Sequence, residues 1–217
     1  MVTVPEATKK IIERSRYLSE AISKGIINYS SLARYIKPEL EEMLLKKVSN
    51  ASIIMALTRL ESDFQPKFQQ SNIFKTPPEI SVRSNLFLIG LPNNEIHGLS
   101  VLLSRDANSR SFFLKNQGLH ETSFILSQDL FEKYKNTIEG KGPLMHVEKV
   151  SAITIYLPAE ARETSGIYYF FLKSLAWEGI NILELVSTAS ELTFVVSDQS
   201  SERTFGIIKS LFTPLEV

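Results

Sequence analysis

Two stretches about seventy positions apart carry the same pattern: HETSFILSQDLFEKY at 120–134 and SELTFVVSDQSSERTF at 190–205. In each, an acidic residue opens an apolar run, a serine closes it, and a helix-spaced segment follows. The runs before them also correspond, LFLIGLP at 86–92 with ITIYLP at 153–158. A duplication at about 65 to 70 residues restricts the fold severely, because the same small unit has to bury its apolar face twice. Within each copy the period switches from strand to helix, which excludes an all-α or all-β answer for this part of the chain.

The second copy is the more explicit. VSAITIYLP places Ile153, Ile155 and Leu157 on one strand face, and Pro158 ends the strand. RETSGIYYFFLKSLAWEG predicts a helix with Ile167, Phe170, Phe171 and Leu175 along its buried stripe and Gly179 as the C-terminal stop. INILELV and ELTFVVS predict two strands around the turn STAS. SSERTFGIIKSLF predicts a helix with a serine cap, Glu202 in its first turn, and Phe205, Ile208 and Phe212 inward. The order β-α-β-β-α is that of a ferredoxin-like unit. The first copy has strands at EISVRSNLFLIGLP, RSFFLKNQG and ETSFILS and a helix at QDLFEKYKNTIEG. A turn-rich stretch, PNNEIHGLSVLLSRDANS, stands where its first helix would be.

Upstream the signal is helical. EATKKIIERSRYLSEAISKG predicts one helix stopped at Gly25, and NYSSLARYI a second with Asn28 or Ser30 as cap. Pro38 is expected to interrupt it, since the residue before a proline is pushed out of the helical region. PELEEMLLKKV then begins a new helix with acids first and lysines last, in keeping with the helix dipole. NASIIMALTRLESDF predicts a fourth helix capped by Asn50. The prolines and glutamines of QPKFQQSNIFKTPPE mark a linker. The expected organisation is a helical domain at 1–63, a linker at 64–78, a first, degenerate unit at 79–145 and a second unit at 146–217.

Net charge is +0, which argues against broad electrostatic capture of nucleic acid or an anionic membrane. With no cysteine, disulfides, thiolate catalysis, zinc ribbons and iron–sulfur clusters are excluded. No stretch approaches the roughly 18 apolar residues that span a bilayer, and the N-terminus lacks the apolar core of a secretory signal. A cytoplasmic protein without membrane contact is expected. His97, His120 and His146 are scattered and form no HxH or HExxH pair, so no metal site is expected. There is no GxSxG, GxGxxG or Walker sequence. Glu160, Glu163, Glu178 and Glu184 read more simply as solvated carboxylates than as an acid–base pair. The expectation is a protein that is not an enzyme and has no cofactor.

GIYYFFLKSLAWEGINILELVSTASELTFVVSD, with Gly166 opening a helix, an aromatic-aliphatic stripe, EGIN with Asn181, and SELTFVV, resembles an ACT domain, the small regulatory module of amino-acid metabolism. The resemblance extends over roughly 78–217 and is nearest to the tandem ACT pair of aspartate kinases. It implies an α+β architecture of two ferredoxin-like βαββαβ units behind a small all-α domain. It also implies that the first unit is inserted into the second, so that PEISVRS supplies the later sheet with an edge strand. The segment before the linker is short and has no phosphate loop, so a regulatory module without kinase catalysis is expected.

The candidate site lies where PAEARETSGI delivers the chain into a helix. A helix N-terminus presents free N–H groups and a positive dipole end, suited to an amino-acid carboxylate. Gly166 lets backbone approach a ligand, and the Asn181 amide both donates and accepts. Glu184 or Glu191 would hold a ligand ammonium. The full candidate set is Gly166, Ile167, Asn181, Ile182, Glu184, Ser187 and Glu191, with an amino acid or similar small metabolite as ligand. Exposed sheet edges and the aromatic run Tyr168, Tyr169, Phe170, Phe171 point to a homodimer through these units.

Two other readings stay open. GIINYSSLARYIKPELEEMLLKKV also resembles a helix-turn-helix, with SLARYI as first helix and PELEEMLLKKV in the recognition position, which would make the chain a ligand-responsive DNA-binding regulator. The early acids Glu39, Glu41 and Glu42 repel phosphate and weigh against it. A structural dimerisation module without ligand is the third.

Overall fold

The computed structural model describes residues 2–63, 74, 76–108 and 110–212. The chain forms two compact units, 1–69 and 70–217.

The first unit holds α1 (Val4–Arg14), α2 (Arg16–Ser23), α3 (Tyr29–Leu44) and α4 (Asn50–Asp63). A capping box starts α1: the Glu6 N–H donates to Thr3 Oγ1 at 3.4 Å and the Thr3 N–H to the Glu6 carboxylate at 2.8 Å. The single helix expected up to Gly25 is broken at Ser15, which is extended at φ −105, ψ 102. The break lets Ile11 and Ile12 from one helix and Leu18 and Ile22 from the next enter one core. Pro38 does not end a helix; α3 runs through it. A proline in a helix interior costs about 3 kcal/mol. Here Leu32, Ala33, Ile36 and Leu40 form a buried stripe on both sides of it, and their packing carries the helix across. This also removes the turn that a helix-turn-helix reading needs between SLARYI and PELEEMLLKKV. Asn28 is the cap of α3, accepting from the Ser31 N–H at 3.0 Å. At α4 the hydroxyl of Ser49, not Asn50, receives the Ser52 N–H, at 3.2 Å.

The second unit contains β1 (Ile80–Pro92), α5 (Leu99–Asp106), β2 (Phe113–Gln117), β3 (Glu121–Ser127), α6 (Gln128–Glu139), β4 (Met145–Tyr156), α7 (Ile167–Trp177), β5 (Glu184–Ser187), β6 (Glu191–Ser197) and α8 (Asp198–Ser210). One six-stranded antiparallel sheet runs in the order β2-β3-β1-β4-β6-β5. The turn-rich stretch after β1 contains α5, whose Leu99 and Leu103 repeat at helical spacing and are buried. Strand β4 begins at Met145, earlier than the sequence suggests, and α8 begins at Asp198 rather than at the serine pair. Its buried positions are Ser201, Thr204 and Ile208; Phe205 and Phe212 are only partly covered.

Strands β1 and β4 each serve two halves. Residues 86–92 pair with β3, while 80–83 pair with 152–155 of β4. Reciprocally, 150–156 pair with β6, while 145–147 pair with 88–90. The early part of β1 is thus the edge-completing strand of the later half. The register slips between these parts, and Asn85 and Lys149, equivalent in the two halves, both take φ of 56°. Such bulges bend and twist a strand. The bending is large. In a flat sheet β2 and β5 would be five spacings apart, roughly 24 Å, yet Asn116 Nδ2 of β2 donates to Glu184 Oε1 of β5 at 2.6 Å. The sheet therefore curls until its two edges approach.

Burial follows from this. Ile89, Leu91, Phe124 and Leu126 face α5 and α6 in one core. Leu86, Leu88, Ile125, Val150, Ala152 and Val195 lie on the opposite face and form a core common to both halves. Central strands buried on both faces read as continuous apolar runs rather than alternating ones; Leu192–Val196 shows that pattern throughout.

Asp106 closes the end of α5 onto α6. Its carboxylate accepts from Tyr134 Oη, from Lys133 Nζ at 2.5 Å and from Arg105 Nε at 3.0 Å. Lys133 first, then Tyr134 and Arg105, hold its pKa far below the ordinary carboxylate value. A depressed carboxylate contributes stability that is present above its unfolded pKa, near about 3.9, and is lost as pH falls toward the folded value. Chemical-denaturation midpoints of the wild type should therefore drop below about pH 4. Asp106→Asn should be less stable at neutral pH and show a flatter dependence in that acid window; equal slopes would remove this role.

Candidate functional site

After Pro158 the chain makes a 3-10 turn, Ala159–Glu163, before α7. The Ala161 N–H donates to the Pro158 carbonyl at 3.0 Å, and Thr164 Oγ1 to the Glu160 carbonyl at 2.7 Å, which fixes the loop. Gly166 then takes φ of 92° as the N-cap of α7, a backbone region that disfavours any side chain. The first intrahelical bond runs from the Phe170 N–H to the Gly166 carbonyl at 3.0 Å. The N–H groups of Ile167, Tyr168 and Tyr169 precede it, with no side-chain cap over them.

Against this helix start lies the three-residue turn between β5 and β6. The Thr188 N–H donates to the Glu191 carbonyl at 2.9 Å, and Thr188 Oγ1 receives the N–H groups of Ser190 and Glu191 at 3.4 and 3.1 Å. Between loop and turn is a cavity of about 250 Å³, walled by Leu157, Arg162, Gly166, Tyr168, Thr188 and Ala189 among others. Tyr168 Oη meets Ser187 Oγ at 2.9 Å and closes one side. Arg162 is exposed and forms no ion pair with a described carboxylate. The guanidinium and the helix start give the cavity a positive rim.

Of the seven candidate residues, Gly166 and Ile167 line this cavity, and Ser187 reaches it through Tyr168. Glu191 takes part through its backbone carbonyl in the 188–191 turn, with its side chain exposed. Asn181 is exposed and Ile182 half-buried in the segment leading to β5, and neither lines the cavity. Glu184 is engaged by Asn116 across the sheet edges. Arg162, Leu157 and the carbonyls of the turn were not among the candidate site residues read from sequence. Arg162 stands in a loop of mixed charge, and backbone carbonyls leave no trace in residue identity. A larger concavity of about 360 Å³ lies in the helical unit beside Tyr17 and Tyr35, but its charged groups, Arg14 and Glu39, are already paired at 2.9 Å. Among the described residues no three His, Asp or Glu side chains are grouped to hold a metal ion, and no helix is long and apolar enough to cross a membrane.

No family model matches the sequence, and no curated protein does. Solved structures do match the fold. Aspartate kinase from Clostridium acetobutylicum aligns with 67% of this chain at a TM-score of 0.52 and 16% identity. This chain covers 37% of that enzyme's length. The regulatory subunit of aspartate kinase from Thermus thermophilus aligns at 0.45 and 14% identity, over 62% of this chain and 98% of that one. E. coli aspartokinase III in complex with lysine and aspartate aligns at 0.48 and 16% identity, over 78% and 43%. The mixed helix and antiparallel-sheet unit thus shares its fold with part of the Clostridium enzyme.

Proposed function

We propose that the chain is a non-catalytic regulatory protein that binds an amino acid or similar small metabolite through two ACT-like, ferredoxin-like units, the first inserted into the second. The observation that carries this reading is the cavity at the start of α7, with the helix N–H groups that no side chain caps, Arg162, which pairs with no described carboxylate, and the 188–189 turn lining it. A carboxylate would lie against Arg162 and the first turn of α7. Association of two copies through these units belongs to the same proposal.

A thermal-shift screen with the twenty amino acids at millimolar concentration tests it. A ligand at one hundred times its Kd adds about 2.7 kcal/mol, equivalent to roughly 5–11 °C in a domain of this size. Arg162→Ala should weaken the responding ligand by about tenfold or more, the value of a charge-assisted hydrogen bond. No shift with any amino acid would overturn the proposal.

A further inference from the structure

Register makes the two halves comparable residue by residue. Leu91 pairs with Thr122 as Ile155 pairs with Leu192, and Pro92 with Glu121 as Tyr156 with Glu191. Asn93 is therefore the counterpart of Leu157, and the 118–119 turn of the 188–189 turn. The backbone repeats. The Asn93 N–H donates to the His120 carbonyl at 3.0 Å and the Leu157 N–H to that of Ser190 at 2.7 Å. The N–H groups of Gly118 and Thr188 donate to the carbonyls of Glu121 and Glu191 at 2.8 and 2.9 Å.

The side chains do not repeat. In the first half Asn93 Nδ2 donates to the carbonyls of Gly118 and Leu119, at 3.0 Å each, and its Oδ1 accepts from Thr122 Oγ1 at 2.7 Å. Three hydrogen bonds bolt the turn to the end of β1. In the second half Leu157 and Leu192 occupy those positions and offer neither donor nor acceptor. Among the described residues the Thr188 carbonyl receives only Ser187 Oγ, at 3.2 Å, and no hydrogen bond reaches the carbonyl of Ala189. The following loop is also longer: Gly98 comes five positions after Asn93, Gly166 nine after Leu157. The cavity is lined by Leu157, which stands at the Asn93 position, and by Thr188 and Ala189 of the turn.

The geometry points to an unequal pair of sites: the Asn93 carboxamide is the built-in occupant of the first half, and the second half takes a free ligand whose own N–H donor, an ammonium or a primary amide, completes the carbonyls of Thr188 and Ala189. This rests on the second-half cavity being a ligand site. It makes Leu157 the residue that determines which half responds, and it requires the ligand to carry a hydrogen-bond donor as well as its acid group.

The test uses the full chain and thermal-shift and calorimetric titrations with the twenty amino acids, and then with the des-amino carboxylic acid of the same skeleton as the best of them. Leu157→Asn with Leu192→Thr transplants the bolt. The double variant is expected to keep its far-UV circular dichroism and to lose at least tenfold in affinity for the amino acid that shifts the wild type. The des-amino acid is expected to bind wild type at least tenfold more weakly than the amino acid, a comparison that does not depend on any variant folding. A des-amino acid binding as tightly as the amino acid, or a folded transplant binding as wild type does, would overturn the inference while leaving the ligand site standing. A wild type that responds to none of the amino acids overturns the site itself, and this assignment with it.

Discussion

Phe171→Ala is expected to destabilise the sheet unit by about 3–5 kcal/mol, the range for deleting a buried aromatic ring. Phe171 is 0% exposed and lies in the middle of α7. Its ring meets Phe170 at 5.1 Å, Phe194 of β6 at 6.1 Å and Phe212 at 6.0 Å between centroids, all in tilted or edge-on arrangements. Truncation removes the ring's transfer energy and its pair contacts together and leaves a cavity between α7 and β6. Denaturant titration would measure the loss. Because α7 also delivers Gly166, the variant should lose ligand response in proportion to the unfolded fraction only. A loss below about 1 kcal/mol would show that this aromatic cluster is looser than its distances imply.

Ile125→Ala is the second large effect, expected at about 2–5 kcal/mol. Ile125 is 0% exposed on β3 and packs in the core that Leu86 and Leu88 share with Val150, Ala152 and Val195. The residue belongs to the first half, but the damage should not stay there. Amide hydrogen exchange in β6, on the far side of β4, should accelerate in parallel with that in β3, because the common core and the shared strands make one cooperative block. Protection that falls in β3 while β6 keeps wild-type exchange would show that the halves open separately.

The parts legible in the sequence are those set by a single local period. The stripe Ile167, Phe170, Phe171 and Leu175 follows from helical spacing, and these are the buried residues of α7. The paired apolar runs likewise lie on β3 and β6. Misreadings arise where tertiary packing outweighs a local preference. Pro38 signals a break, but the apolar stripe around it favours continuity. Ser15 carries no break signal, and the chain turns there because two helices fill the core better than one. Gly166 stood out in the resemblance as the glycine that opens a helix, and it is the N-cap of α7 with φ of 92°. The contact that engages Glu184 was not legible, since its partner Asn116 lies 68 positions away and meets it only when the sheet curls. The bolt formed by Asn93 was hidden for the same kind of reason: its partners are carbonyls, and its meaning comes from comparison with an apolar residue in the other half.

Sharing strands between halves also sets a timetable. Ile80 finds its sheet partner at Ile155, 75 positions further along the chain. At a synthesis rate of about 5–20 residues per second, the opening residues of β1 wait roughly 4–15 s on the ribosome before β4 exists to receive them. During that interval 86–92 can already pair with β3, so the first half assembles around a strand whose leading end is still unpaired. That end alternates Ile80 and Val82 with the polar Ser81 and the charged Arg83, and the polar Ser84 and Asn85 follow it; the charge and the polar positions guard a waiting edge against pairing with another nascent chain.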